Sequence, residues 1–162
     1  MTRFLVVSDT HGRYDVLLRR LDFLSELGAN AIIHLGDCTP DGEFLAKRLD
    51  LPLHAVAGNC DRFGCGYPAL DVLETEGVRI LLCHGHTLHV KSDTLNLLYA
   101  AQERQCSVAL FGHTHEPFLE TQSGVLLLNP GSLGIPRLTD PSIGLLTVDK
   151  GKAKGLLLPC KA

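Results

Sequence analysis

The sequence lacks the features of a membrane protein, a secreted protein or a general nucleic-acid binder. No apolar run in its 162 residues approaches the roughly 20 residues that a spanning helix needs. Met1 leads almost directly into a strand-like segment, so no secretory signal is apparent. The 15 basic and 18 acidic residues give a net charge of −3, with no reason to coat DNA, RNA or an anionic membrane. We therefore expect a cytoplasmic protein with no membrane partner and no general nucleic-acid surface.

The six cysteines also lack the spacing of the common cysteine motifs. None belongs to a Cys-x-x-Cys pair, which excludes zinc-ribbon and thioredoxin-like sites and argues for reduced thiols. The composition, 45% hydrophobic and 20% charged, is that of a globular protein, and the length suits one domain over residues 1–162. The eight histidines are more unusual, because four of them fall in two short clusters.

Apolar periodicity predicts that strands and helices alternate in the first half of the chain. Strands are expected at 3–7, 31–35 and 53–56, with helices at 14–27 and 44–49. This alternation is typical of an α/β layer with parallel strands. In the second half a helix at 94–105 lies among strands predicted at 78–83, 108–111, 118–121, 125–128, 143–148 and 154–158. The whole pattern predicts an α/β fold in which two mixed β-sheets face each other as a sandwich flanked by helices.

Polar groups follow five of the predicted strands at the point where each strand ends. In chain order they are Asp9-Thr10-His11, Gly36-Asp37, Gly58-Asn59-Cys60-Asp61, His84-Gly85-His86 and Gly112-His113-Thr114-His115. Ligands of α/β sheets bind beyond the carboxyl ends of the strands. If these ends converge, one cleft gathers oxygen and nitrogen donors that suit divalent metals without thiolate.

The spacing within these groups favours a centre with two metal ions. Residues i and i+2 of an extended chain point to the same side, about 6–7 Å apart. Asp9 with His11, and His113 with His115, can therefore each direct two donors at one place. Two such pairs could straddle ions that lie about 3.5–4 Å apart, with a carboxylate between them.

A single pair of this kind is a weak signal, because an aspartate after a strand often serves a turn or a helix cap. Five groups at successive strand ends are much harder to explain in that way. Three other histidines we interpret as ordinary core or surface residues: His34, His54 and His89.

Taken in chain order, these five groups resemble the motifs of the calcineurin-like metallophosphoesterase superfamily. The motif Asn129-Pro130-Gly131-Ser132, followed by Ile135-Pro136-Arg137, narrows the resemblance to the small bacterial and archaeal phosphodiesterase branch. The match runs from Ser8 to Arg137 in the right order. The fold it implies is a sandwich of two facing β-sheets, which agrees with the strand pattern.

The resemblance implies two divalent metal ions, usually Mn²⁺, with Fe, Ni²⁺, Zn²⁺ or Co²⁺ as substitutes. It places one ion among Asp9, His11, Asp37 and His115. It places the other among Asp37, Asn59, His84 and His113, with Asp37 bridging. The reaction it implies is hydrolysis of a small phosphodiester by a hydroxide that bridges the ions, with Asp37, Asn59 and His84 as catalytic residues.

The resemblance also gives roles other than metal binding to positions matched to the family. By the resemblance, His86 and Asp61 orient the ligands, and Asn59 can also contact a phosphate oxygen. Larger members of the family have histidine where this chain has Cys60, and a thiol with a pKa near 8.5 is a poor proton donor. The same replacement is common in the small branch. We therefore expect turnover of phosphodiesters with good leaving groups, unless another group such as His86 supplies the proton.

Two other functions stay open. One is a phosphomonoesterase, against which Cys60 and the small size count. The other is a non-catalytic protein-interaction scaffold, like the retromer subunit that shares the family fold, against which the seven metal-competent positions count. Arg137 either binds substrate phosphate through its guanidinium or is a surface charge. A homodimer is also open. The cysteines beside proposed ligands we interpret as small apolar residues rather than redox groups: Cys38, Cys60 and Cys83.

Overall fold

The computed structural model describes residues 1–160, which form ten strands and four α-helices. The strands are β1 (Thr2–Val7), β2 (Ala31–His34), β3 (Leu53–Ala55), β4 (Leu70–Thr75), β5 (Val78–Cys83), β6 (Val108–Leu110), β7 (Pro117–Gln122), β8 (Val125–Pro130), β9 (Ser142–Asp149) and β10 (Lys152–Pro159). The helices are α1 (Tyr14–Leu18), α2 (Leu21–Glu26), α3 (Thr39–Leu49) and α4 (Leu95–Glu103), with a 3₁₀ turn at His86–Leu88.

The strands form two five-stranded sheets, with the orders β10-β9-β1-β2-β3 and β4-β5-β6-β8-β7. In the first sheet β1, β2 and β3 are parallel, and β9 joins β1 in the antiparallel direction. In the second sheet β5, β6 and β8 are parallel, with antiparallel strands at both edges. The predicted α/β sandwich of two mixed sheets is therefore confirmed.

Side-chain alternation along the central strands shows how the layers pack. Phe4 and Val6 of β1 enter the apolar core between the two sheets, and Leu5 and Val7 pack on the side of α1, α2 and α3. The strand β6 behaves in the same way, because Val108 and Leu110 face the core between the sheets while Ala109 faces α4. Since successive strand residues point to opposite faces, strands covered on both faces are apolar throughout.

The parallel strands also determine where the loops lie. All three parallel strands of a sheet end at the same edge, and the two sheets stack through a common core. The loops after β1, β2 and β3 therefore lie beside those after β5 and β6. The polar groups named above occupy these loops. No helix of the described residues is long and apolar enough to cross a membrane.

The helix predicted at 14–27 is in fact two helices, interrupted at Arg19 and Arg20. The side chain of Arg20 is buried, where its Nε donates to the carbonyl of Cys160 at 2.5 Å and its Nη1 to that of Val16 at 2.9 Å. This long-range contact with Cys160 fixes the connection between α1 and α2. Apolar periodicity within residues 14–27 cannot predict a contact with a residue so distant in the sequence.

Two further elements differ from the sequence prediction. The helix α3 begins at Thr39, five residues before the predicted start. Pro40 and Gly42 concealed its first turn, although proline is well tolerated there. The edge strand β4 was not predicted, because its exposed Asp71 and Glu74 interrupt the apolar pattern.

Candidate metal centre

Backbone hydrogen bonds join the loops that carry the polar groups. The N–H of Asp9 donates to the carbonyl of Gly36 at 3.0 Å, and the N–H of His11 donates to that of Asp37 at 3.3 Å. In the second sheet the N–H of Gly112 donates to the carbonyl of His84 at 3.0 Å. The relative positions of these loops are therefore fixed by hydrogen bonds between their main chains.

Two buried carboxylates are each anchored through one oxygen. Oδ2 of Asp9 accepts hydrogen bonds from the hydroxyl of Ser8 at 2.6 Å and from the N–H of His113 at 3.0 Å. Oδ1 of Asp37 accepts one from the N–H of Cys60 at 2.9 Å. This anchoring leaves Asp9 Oδ1 and Asp37 Oδ2 to face the histidines.

Three histidines direct Nε2 at these two free oxygens. Nε2 of His115 lies 3.1 Å from Asp9 Oδ1. Nε2 of His11 lies 3.7 Å from Asp9 Oδ1 and 3.5 Å from Asp37 Oδ2, and Nε2 of His84 lies 3.8 Å and 3.4 Å from the same atoms. Donor atoms of one subset all lie within 4.8 Å of one another: Asp9, His11, Asp37 and His115.

Backbone carbonyls set the orientation of two of these rings. Nδ1 of His84 lies 2.7 Å from the carbonyl oxygen of Leu35, and Nδ1 of His115 lies 2.9 Å from that of Ile135. A carbonyl can only accept, so each Nδ1 carries the proton and donates it. In the neutral ring the Nε2 lone pair is then available to a metal, the usual arrangement in which a second hydrogen bond orients a metal-binding histidine.

The residues present fit divalent metal ions. Asp9 Oδ1 and His84 Nε2 are buried without a hydrogen-bond partner, although buried polar atoms are nearly always paired. Nε2 of His11 and Nε2 of His115 lie 3.3 Å apart, as expected for two ligand atoms that bind the same metal ion. Carboxylate and imidazole together suit manganese, iron, zinc and related ions.

The charges of the cluster are strongly coupled. Burial opposes ionisation of Asp9, but the adjacent rings of His11, His115 and His84, together with the hydroxyl of Ser8, outweigh it, and the pKa of Asp9 lies well below its usual range. Burial also opposes the charged ring of His84, yet the carboxylates of Asp37 and Asp9 raise its pKa. The carboxylate of Asp9, whose Oδ1 lies 3.1 Å from Nε2 of His115, raises the pKa of His115 as well. Each of these shifts favours the charged form of its group, so the carboxylates and the neighbouring rings stabilise each other's charge.

Backbone strain is concentrated at the same positions. Five non-glycine residues of the proposed centre have φ between 51° and 70°: Asp9, His11, Asp37, His113 and His115. This left-handed region is uncommon for residues with a side chain, and strained backbone of this kind clusters at functional sites. The surrounding loops must hold each of these residues in place.

The second group of predicted ligands is only partly assembled. The rings of His84 and His113 have centroids 5.0 Å apart, and that of His86 lies 5.5 Å from His84. Burial, with His84 and Lys91 nearby, lowers the pKa of His113 to about 4, so this ring is neutral near pH 7. The amide Nδ2 of Asn59 lies 3.6 Å from Cys60 Sγ at an exposed position.

Asp61 holds the loops beneath the centre. Its carboxylate accepts hydrogen bonds from four backbone N–H groups at 2.7–2.9 Å, those of Asp37, Cys38, Thr39 and Gly58. This arrangement is what a residue that orients the ligand loop requires. Two other predicted residues have less defined surroundings: Nδ1 of His86 is buried without a partner, and Arg137 is exposed.

Sequence reasoning missed several residues that support the site. The hydroxyl of Ser132 donates to the carbonyl of Asp9 at 2.7 Å, and Nδ2 of Asn129 donates to the carbonyl of Gly112 at 3.0 Å. Both belong to the motif Asn129-Pro130-Gly131-Ser132, which in the sequence indicates the family branch but not a contact with the ligand loops. Asp41 is fully buried and accepts the N–H of Gly12 at 2.8 Å. It carried no recognisable signal, because an acidic residue in the first turn of a helix is ordinary.

The profile of the calcineurin-like phosphoesterase superfamily domain matches residues 2–151. The chain therefore belongs to this superfamily, and by class it is a metallophosphoesterase. A probable metallophosphoesterase of Methanothermobacter thermautotrophicus is 38% identical over 122 residues, which cover 75% of this chain and 70% of the relative. Phosphodiesterase YfcE of Escherichia coli is 32% identical, with 92% of this chain and 89% of the relative covered.

Solved structures share the fold over nearly the whole chain. A conserved uncharacterized protein from Streptococcus pneumoniae, described as a predicted phosphoesterase, has a TM-score of 0.80 at 30% identity and covers 98% of this chain and 89% of its own. Vps29 of Entamoeba histolytica, a single mutant, has a TM-score of 0.79 at 23% identity and covers 97% and 98%. The second likeness shows the fold alone.

Proposed function

We propose that the chain is a phosphodiesterase with a dinuclear metal centre. One ion is held by Asp9, His11, Asp37 and His115, and the other by Asp37, Asn59, His84 and His113. Manganese is the expected metal, with iron, nickel, zinc or cobalt as substitutes. When bound, two such ions supply a water nucleophile activated at neutral pH and stabilise the charge of the phosphoryl group.

The position of the Asp37 carboxylate is the observation that carries this proposal. Its Oδ2 lies 3.5 Å from His11 Nε2 and 3.4 Å from His84 Nε2, and these rings belong to the two different proposed ligand sets. A carboxylate oxygen between two donor groups is where a bridging ligand is needed. Its other oxygen is held by the N–H of Cys60, which fixes the orientation of the bridge.

Other residues around the centre have the proposed task of binding and orienting the phosphate. The amide of Asn59, which is exposed with its Nδ2 3.6 Å from Cys60 Sγ, would contact a phosphate oxygen. Burial, together with the nearby Asp37, raises the pKa of the Cys60 thiol, so Cys60 stays protonated and is a weak proton donor. His86 is the candidate to supply a proton to poor leaving groups. These features favour activated diesters.

The experiment that tests the proposal compares bis-p-nitrophenyl phosphate with p-nitrophenyl phosphate, using metal-stripped protein and the same protein refilled with manganese. We expect turnover only with metal, and faster turnover of the diester. Faster turnover of the monoester would keep the metals but replace the diesterase by a phosphomonoesterase. Absence of turnover of either ester, with metal shown to be bound, would favour a protein-interaction scaffold on the same fold.

The control for the metal centre is Asp37→Ala. Loss of the bridging carboxylate should remove both metal binding, measured as metal content after gel filtration, and turnover. Full activity in this variant would contradict the proposed ligand sets. Gel filtration of the parent protein also tests whether the chain forms the homodimer that the sequence left open.

A further inference from the structure

A cleft of about 710 Å³ opens at the candidate metal centre on the side of the first sheet. The proposed ligand His11 lines this cleft. Cys38 and Cys60 line it as well, and they directly follow the proposed ligands Asp37 and Asn59 in the sequence. Clefts that bind small molecules have volumes of roughly 300–1,000 Å³. A phosphate group held at the proposed centre therefore has room beside it for a substrate arm as large as a ring or a nucleoside.

The lining of this cleft is mostly uncharged and includes three cysteines, which behave as small apolar groups: Cys38, Cys60 and Cys65. Its charged side chains are one guanidinium, that of Arg62, and two carboxylates that already accept hydrogen bonds. Asp61 accepts four backbone N–H groups at 2.7–2.9 Å, and Glu43 accepts the hydroxyl of Tyr67 at 2.8 Å. With one cation against two carboxylates, the lining does not favour an anionic group. It favours an uncharged arm.

Phe63 presents an aromatic ring at the rim of this cleft. The residue lines the cleft and is fully exposed. The N–H of Cys65 donates to the carbonyl of Arg62 at 3.1 Å, and Gly64 has φ of 79°. This hydrogen bond and this left-handed glycine are typical of a type II turn, in which Phe63 takes the second position. The glycine makes the turn possible, and the second position accommodates a large side chain.

Both ends of this turn are anchored to the rest of the protein. On its N-terminal side, Asp61 holds four backbone N–H groups. On its C-terminal side, Tyr67 donates to Glu43, and the carbonyl of Pro68 accepts the N–H of Ala57 at 2.8 Å. Single exposed apolar residues are common on protein surfaces. This one differs because it lies on an anchored turn, so that binding a substrate ring orders one side chain rather than a loop.

The same turn also lines a second cleft, of about 420 Å³, which contains Asn59 and His86. His86 is the candidate proton donor for the leaving group, which therefore belongs in this second cleft. The larger cleft is then available to the arm that stays on the phosphate of the product. A phosphodiester has two arms, and the two clefts provide a place for each of them.

We propose that Phe63 stacks on an uncharged planar ring in the retained arm, so that the preferred substrates are phosphodiesters with an aromatic ring or a nucleobase on that arm. The proposal rests on the phosphodiesterase function above and names a substrate class for the same site. Aromatic rings attract each other beyond what their contact area provides, and nucleobases stack readily on phenylalanine.

The test uses two substrates whose retained arms are rings of the same size, one planar and one not: p-nitrophenyl phenyl phosphate and p-nitrophenyl cyclohexyl phosphate. Both lose p-nitrophenolate. Their intrinsic reactivities differ by a factor that is the same for every variant, so the measured quantity is the change in the ratio of their kcat/KM values. With manganese-loaded protein we expect Phe63→Ala to lower the phenyl-to-cyclohexyl ratio by about three- to tenfold, the value of one aromatic stack.

A second pair of substrates distinguishes a nucleobase from a ring attached directly to the phosphate. The p-nitrophenyl ester of thymidine 5′-phosphate is compared with that of 1,2-dideoxyribose 5′-phosphate, which lacks the base. A preference for the thymidine ester that Phe63→Ala lowers assigns the cleft to a nucleobase. An effect of the variant on the phenyl pair alone assigns it to an aryl ester, and both results support the stacking role.

Further variants connect the preference to the ring of Phe63. Phe63→Tyr keeps the ring and should keep the ratio, whereas Phe63→Leu keeps an apolar side chain without a ring and should lower it. Tyr99→Ala removes another exposed aromatic ring, on α4, that lines neither cleft, and should leave the ratio unchanged. Unchanged ratios for both substrate pairs in Phe63→Ala would overturn the proposal. So would a Phe63→Leu variant that behaves like the parent protein, since the arm would then be aliphatic.

A binding measurement separates this proposal from the function on which it rests. Calorimetric titration of the manganese-loaded protein with phenylphosphonate and cyclohexylphosphonate needs no turnover, because their carbon–phosphorus bonds resist hydrolysis. Tighter binding of phenylphosphonate that disappears in Phe63→Ala supports the ring site even if every diester resists hydrolysis, in which case only the phosphodiesterase function fails. Equal binding of the two phosphonates, together with an unchanged thymidine preference in Phe63→Ala and with diester turnover present, contradicts the ring site alone.

Discussion

At the scale of single residues, Asp61 shows how much of the centre depends on a side chain that need not touch the metals. Its two oxygens satisfy four backbone N–H groups around the loop that carries Asp37. The strained backbone of Asp37, with φ of 61°, is held largely in this way. By accepting these four N–H groups, the carboxylate of Asp61 positions Asp37, the proposed bridging ligand.

Asp61→Asn should destabilise the protein and weaken metal binding together. The amide nitrogen of asparagine cannot accept the N–H groups that one carboxylate oxygen accepts now, and buried unsatisfied donors cost about 1–3 kcal/mol each. We expect the free energy of unfolding in urea to fall by at least about 2 kcal/mol. The matched control is Asp50→Asn at the C-terminal end of α3, whose left-handed conformation asparagine tolerates. Equal effects of the two substitutions would contradict the role given to Asp61.

His34, interpreted from the sequence as an ordinary residue, makes stability depend on pH. Its ring is fully buried between the hydroxyl of Thr10, 3.0 Å from Nε2, and the N–H of Gly36, which donates to Nδ1 at 3.1 Å. Burial lowers the pKa of His34 to about 4 from the model-compound value of 6.5. The unfolded chain therefore binds a proton at a pH where the folded protein does not.

The stability of the folded protein should decrease with falling pH, because the unfolded chain binds a proton at His34 more readily than the folded protein does. Because the folded pKa of His34 is depressed, its stabilising contribution is complete above about pH 6.5 and is lost as the pH falls towards 4. Between about pH 7 and about pH 5 we expect roughly 2 kcal/mol less stability from this residue. Urea unfolding of metal-free protein measures it against His34→Asn, which keeps an acceptor near the N–H of Gly36. The same pH slope in both proteins would contradict the prediction.

At the scale of secondary-structure elements, Gly36, two residues after β2, allows the loops of the two sheets to approach each other closely. Gly36 has φ of 100°, and a Cβ there would lie 2.6 Å from the N of Gly58 and 2.9 Å from Nδ1 of His84. Real Cβ atoms do not approach backbone atoms so closely, so a side chain would push the two loops apart. Gly124, in the turn between β7 and β8, has φ of 77° with no atom within 4 Å of its Cβ position.

This pair of glycines gives a matched test. Gly36→Ala and Gly124→Ala both place alanine in a left-handed conformation, which costs about 1 kcal/mol of stability. Only Gly36→Ala also separates the ligand loops, so we expect this variant alone to lose manganese binding and to reduce diester turnover by about a hundredfold or more. Metal content and kcat/KM are the measurements. Normal metal content in Gly36→Ala would show that the loops tolerate the displacement.

The same elements show what the sequence could and could not predict. Strands such as β1 and β6 are buried on both faces, and their unbroken apolar runs identified them. The candidate metal-binding motifs were predictable because each of these polar groups begins within three residues of the end of a strand. The break between α1 and α2 was not, since it depends on a hydrogen bond from Arg20 to Cys160, 140 residues away. The spacing of residues also gave no indication that Asn129 and Ser132 would hydrogen-bond to the carbonyls of Gly112 and Asp9, each more than 15 residues away in the sequence.

At the scale of the whole molecule, metal binding should contribute to global stability. The negative charges of Asp9 and Asp37 repel each other at the centre, and bound divalent cations would offset this repulsion. A ligand that binds only the folded state at 100 times its Kd adds about 2.7 kcal/mol, or roughly 5–10 °C in Tm for a protein of this size. We therefore expect manganese to raise Tm by about this amount in a thermal unfolding scan.

The size of this increase in Tm should depend on pH and on Asp37, the proposed bridging carboxylate. Protons compete with metal for His84 and His115, whose pKa values are raised, so the increase should be smaller near pH 6 than near pH 8. Asp37→Asn should abolish it at both pH values. An undiminished manganese effect in that variant would place the metal elsewhere in the molecule.

The pairing of the first strand with the last part of the chain has a consequence for the order of folding and metal binding. In β1 Thr2 pairs with Val148, and the carboxylate of Asp9 is held by the N–H of His113, 104 residues further on. Such long-range contacts form late, since closing a long loop costs entropy before the contact is gained. Until β9 has paired with β1 and the loop of His113 has reached Asp9, the proposed ligands are not assembled in one place. Metal binding is therefore expected to follow folding of nearly the whole described chain rather than to direct its early steps.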